Sequence, residues 1–101
     1  MRIMLTVSFP NEEFNAAVRD GSVGPKTKAI LEELKPEAVY YIERNGHRTA
    51  ILLVELENPS MIPALAEPWF LTFNAKVELD VVMTPEDLGD AGLEKLGEKW
   101  G

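Results

Sequence analysis

Cysteine is absent from this chain. A disulfide framework, a thiolate nucleophile and a cysteine-ligated metal are excluded with it, and the cytoplasm is the expected compartment. Histidine occurs once, as His47, too few for the zinc and iron sites built on several imidazoles. No metal and no cofactor is expected; oxygen-only Mg²⁺ or Ca²⁺ binding stays open but has no motif behind it. Positive charge is scarce: 10 Lys and Arg against 17 Asp and Glu give a net charge of −7. Nucleic-acid binding, whose affinity comes from clustered Lys and Arg on phosphates, is therefore not expected. Long apolar runs are also lacking, and nothing approaches the roughly 20 residues of a membrane span. Residues 1–9 look superficially like a signal peptide. Their apolar run alternates, ends at Pro10 and has no small-residue cleavage site, so a first strand is the better reading. The glycines of Gly21-Ser22-Val23-Gly24 lead into a proline with no lysine, so they do not form a phosphate loop.

What the sequence does contain is a mid-chain hairpin signal. Two apolar and β-branched stretches, Ala38-Val39-Tyr40-Tyr41-Ile42 and Thr49-Ala50-Ile51-Leu52-Leu53-Val54, flank Asn45-Gly46. The turn pairs Arg44 with His47, Glu43 with Arg48, Ile42 with Thr49 and Tyr41 with Ala50. Before the hairpin lie a strand over residues 2–9 and a helix opened by Pro10-Asn11-Glu12-Glu13, broken near Gly21–Pro25 and ended by Pro36. After it, Asn58-Pro59-Ser60 starts a helix with the stripe Ile62, Leu65, Ala66, Trp69, Phe70 and Phe73. Pro68 is expected to kink that helix, and Asn74 to end it in the left-handed region. A last strand over 76–83 points Val77, Leu79, Val81 and Met83 to one side. Thr84-Pro85-Glu86-Asp87 then caps a short, glycine-weakened helix.

The order β-α-β-β-α-β predicts one ferredoxin-like α+β domain over residues 1–101, with a four-stranded antiparallel sheet and both crossover helices on one face. Val39, Tyr41, Ala50, Leu52 and Val54 should face those helices. Loss of the Tyr41 ring should then cost about 3 kcal/mol, as for other large core truncations. The opposite face collects Met4, Thr6, Tyr40, Ile42, Thr49, Ile51, Leu53, Glu55, Glu78, Asp80 and Val82. That set is too apolar for water and too polar for a dry core. A second copy stacked on this face would cover it, leaving a partly polar cavity.

Ile30-Leu31-Glu32-Glu33-Leu34-Lys35-Pro36-Glu37-Ala38, leading into the hairpin, resembles the dimeric α+β barrel superfamily. Residues 62–70, 73–78 and 82–88 are similar to small bacterial members of that superfamily with no assigned activity. The resemblance implies a homodimer. It leaves the chemistry open, because superfamily members include cofactor-independent monooxygenases, lactone isomerases and haem-degrading enzymes. The haem reading fails by position: Trp69 belongs to a core stripe and His47 to the hairpin. Two functions remain. One is a small-molecule binder or cofactor-independent enzyme taking an apolar or aromatic compound, with Tyr40, Thr49 and Glu55 lining the cavity and Arg19 and Asn74 as further candidates. The other is a structural or interaction module with no catalysis. Glu55, Glu78 and Asp80 have two readings, a converging carboxylate group or solvated strand ends, and Arg19 has two partners open to it, an anion or Glu67.

Overall fold

A computed structural model describes residues 1–101. In chain order they form β1 (Arg2–Ser8), α1 (Asn11–Asp20), α2 (Val23–Leu34), β2 (Ala38–Arg44) and β3 (His47–Glu55). A 3-10 turn (Pro59–Met61) then enters α3 (Ile62–Phe73), followed by β4 (Lys76–Val81), α4 (Pro85–Asp90) and α5 (Leu93–Trp100). The strands make one antiparallel sheet in the order β2-β3-β1-β4, the ferredoxin-like arrangement. The break between α1 and α2 lies where the sequence puts it: Gly21, at φ 81°, ends α1 with its N–H on the Val18 carbonyl. Asn45 and Gly46 both sit at positive φ, 53° and 76°, as a type I′ turn requires. The hairpin register is the expected one, Arg44 opposite His47 through Tyr41 opposite Ala50.

Helix-side alternation builds the core. Ile3, Leu5, Val7, Ala50, Leu52 and Val54 are buried against Leu65, Trp69 and Phe73 of α3 and against Ala17 and Ile30. Phe9 is the centre of an aromatic cluster, edge-on to Phe73 at 5.1 Å and to Trp69 at 5.9 Å between ring centroids. Helix α3 runs through Pro68 as one element and ends at Asn74, whose φ of 54° is left-handed as expected.

The helical cover stops short of the sheet's edges. Tyr41 points to the helix side yet is 61 % exposed on edge strand β2, where it borders an open groove with Phe14 of α1. Ile62 and Phe70 are likewise exposed on α3. Strand β4 ends at Val81 rather than Met83: the Arg2 carbonyl takes the last bond, from Val82, and Met1 is engaged on the β3 side by Leu56 and Glu55. Val81 and Met83 are therefore 65 % and 67 % exposed instead of packed. Helices α4 and α5 bury no residue. They project as an arm that stretches the molecule to 59 × 28 × 19 Å with a radius of gyration of 17.0 Å, where a compact chain of this length would have about 13 Å.

Candidate functional site on the helix-free face

The sheet rows define the site. On the face away from the helices, one cross-strand row runs Ile42, Thr49, Ser8, Lys76; beside it Thr6 lies opposite Glu78 and Ile51, and Arg44 opposite His47. Sheet twist makes this end concave. Thr49 is only 1 % exposed although no layer lies above it, and its hydroxyl donates to the His47 carbonyl at 3.2 Å. The concavity has a volume of about 380 Å³ and is walled by Thr6, Ser8, Thr49, Lys76 and Glu78 on the sheet, by Arg44, Asn45 and His47 from the turn, and by Asn74 at the end of α3. Asn11 of α1 steadies the turn by donating to the Gly46 carbonyl at 3.3 Å.

The electrostatics favour a polar or anionic group. His47 Nδ1 lies 3.1 Å from the Asn45 carbonyl; a carbonyl only accepts, so Nδ1 carries the proton and Nε2 is free to bond elsewhere. Lys76 Nζ is 3.6 Å from the Glu78 carboxylate, while Arg44 has no carboxylate within ion-pair reach. Two fixed cations and one imidazole thus face one carboxylate in a chain that is acidic as a whole. No three His, Asp or Glu side chains come together in a group that could hold a metal. The carboxylates with displaced pKa values are elsewhere. Asp20 is lowered by the side-chain and backbone hydrogen bonds of Ser22, and Asp87 by the backbone and hydroxyl of Thr84, both at exposed helix ends.

Of the residues singled out in the sequence, Thr49 and Asn74 line this concavity together, and so do His47 and Glu78. Asn74 also makes a long side-chain bond to Glu13 at 3.4 Å. Tyr40 shares the face but stands outside the concavity on the edge strand, 63 % exposed. Glu55 is at the other end of the sheet, paired with the N-terminal amino group. Arg19 is exposed near the end of α1 and forms no ion pair with Glu67. Glu55, Asp80 and Glu78 do not converge; they fall beside Arg2, Met4 and Thr6, two residues apart along β1, with Glu55 on the β3 side of that strand and the other two on the β4 side. Trp69 is sealed in the core across the sheet from His47. Arg44, Ser8 and Lys76 were missed as site residues. The signal for them was the register itself, which puts Arg44 opposite His47 and both Thr49 and Lys76 opposite Ser8.

A second, more apolar groove of about 390 Å³ lies on the helix side of the hairpin, among Phe9, Phe14, Tyr41 and Arg48. The Arg48 guanidinium stacks 4.7 Å over the Phe14 ring and donates to Asn15 Oδ1 at 2.8 Å, which fixes it in place.

No protein-family model matches the chain, and no curated protein matches it. Among solved structures, the de novo designed protein Ferredog-Diesel is similar over 80 % of this chain and 85 % of its own, at 11 % identity and a TM-score of 0.44. No helix is long and apolar enough to cross a membrane.

Proposed function

We propose that the chain acts as a homodimer of the dimeric α+β barrel type and binds a small organic molecule on its helix-free sheet face, as a binder or a cofactor-independent enzyme. The observation that carries this reading is the 380 Å³ polar concavity beside an uncovered apolar strip. Tyr40 and Ile42 are exposed there, and Met4, Ile51 and Leu53 are only partly covered. The second copy would cover this strip, and a ligand with an aromatic or apolar body would sit in the concavity at its margin. Its polar group would reach Arg44, His47 and Lys76, with the Thr6, Ser8 and Asn74 side chains as further hydrogen-bonding partners.

Amide NMR titration with benzoate, and with benzamide as its uncharged isostere, tests the reading. Benzoate should shift Thr49, His47, Asn74 and Lys76 in a saturable way, and benzamide should bind more weakly at the same residues. Shifts spread evenly over the surface with both compounds, or none with either, would overturn it.

A further inference from the structure

The arm formed by α4 and α5 has no cover in its own chain. Leu93, Leu96 and Trp100 line one side of α5 at helical spacing and are exposed, as is Leu88 of α4, with Trp100 77 % accessible. Helices of 6 and 8 residues do not hold together in water on propensity alone. The stripe has no partner within the chain.

We infer that the arm is a strap that docks on the helix-free face of a second copy, over Tyr40 and Ile42. The inference rests on the homodimer reading above, and charge and topology select this occupant. From Thr84 onward the arm carries Glu86, Asp87, Asp90, Glu94 and Glu98 against Lys95 and Lys99. On its helix-free side the hairpin tip is the reverse: it presents the Arg44 guanidinium, with no carboxylate in ion-pair reach, beside the His47 ring, while Glu43 and Arg48 turn to the helix side. An acidic amphipathic helix is repelled by anionic lipid, which disfavours a membrane surface. It is attracted to a basic tip that also exposes Tyr40 and Ile42.

The two surfaces occupy opposite corners of one chain. The arm leaves edge strand β4 at the end where Val81 pairs with Ile3, whereas the tip caps the other edge strand, β2, beyond the Ser8–Thr49 pair. A two-fold axis brings each arm onto the other copy's tip, a closed arrangement in which both contacts are made twice. Covering Trp100, Leu96, Leu93, Tyr40 and Ile42 twice over is of the order of the ~1,200 Å² that a stable interface buries. The strap would then border the concavity from the partner's side, closing part of the site.

The chain has no cysteine of its own, so engineered thiols report cleanly. Ile42→Cys and Leu96→Cys chains, one carrying a size tag, should give a mixed disulfide when combined and oxidised. The double variant Leu96→Asp/Trp100→Asp should weaken dimerisation by about tenfold or more in sedimentation equilibrium, with an unchanged melting midpoint at dilution because neither residue is in the core. A mixture that yields no mixed product, or an Ile42→Cys/Leu96→Cys chain that closes on itself as a monomer, overturns the strap. A double Asp variant that dimerises like the parent removes the strap and leaves the sheet-face dimer standing. A parent chain that is monomeric at every concentration removes both.

Discussion

Ile51 and Leu52 are neighbours on β3 with similar side chains. Leu52 is fully sealed beneath the helices, while Ile51 looks out on the other face with no layer above it. The contrast holds along the strand: Ala50, Leu52 and Val54 are buried, and Ile51 and Leu53 are only partly covered. Alternation decides the direction of a side chain, and a second layer decides its burial. One face of the sheet has met its layer within the chain. The other has not, and that is the face with a concavity, unpaired Arg44 and the lone histidine.

Substitutions paired across the two faces should separate them. Leu52→Ala is expected to cost about 2–5 kcal/mol by denaturant unfolding, the usual range for emptying a packed core site. Ile51→Ala measured at the same dilution should cost about 1 kcal/mol or less, because half-covered methyl groups have less burial to lose. Equal losses at the two positions would erase the distinction.

The hairpin aromatics sharpen it. Tyr41 faces the helix side but is 61 % exposed, so Tyr41→Ala should cost nearer ~1 kcal/mol than the ~3 kcal/mol of a packed ring. Tyr40→Ala should barely move monomer stability and should instead weaken dimerisation, read by sedimentation at several concentrations. Gly46→Ala puts a Cβ at a φ of +76° and should lower stability by roughly 1 kcal/mol through the turn alone, with the cavity amides His47 and Thr49 shifting most by NMR.

The smallest effect is in the arm. The Thr84 backbone N–H and hydroxyl hold Asp87 below its ordinary pKa. A carboxylate lowered on folding stabilises the cap above its unfolded pKa and loses that contribution as pH falls through the folded value. Helix α4 should therefore fray below about pH 4 while the sheet stays intact, seen as loss of helical carbon shifts over residues 85–90. Asp87→Asn should remove the pH dependence.

Much of the fold was legible because its signals are local. Asn45-Gly46 fixes the turn type and through it every pair in the hairpin. Gly21, Asn74 and Thr84-Pro85-Glu86-Asp87 mark helix ends through chemistry confined to a few residues. The misplaced burials share one cause. Tyr41, Val81, Met83, Ile62 and Phe70 point where the periodicity says, but whether another element reaches over them is set by the lengths of helices and strands distant in sequence. The site was half legible for the same reason. Thr49 and Asn74 follow from register and from a helix end, whereas the place of Tyr40, Glu55 and Arg19 relative to the concavity depends on how the sheet curves. Arg44 and Lys76 were readable from the cross-strand rows, yet a charge near a strand end reads first as a solvated one.

The central claim is that the helix-free face is covered in the working molecule. Methyl relaxation by a soluble gadolinium chelate tests it directly, with Leu5 and Leu52 as internal references from the sealed face. At high protein concentration the Ile51 and Leu53 methyl groups should be protected nearly as well as those references, and unlike the references they should lose protection on dilution. Ile51 and Leu53 methyl groups that relax freely at every concentration would contradict the account.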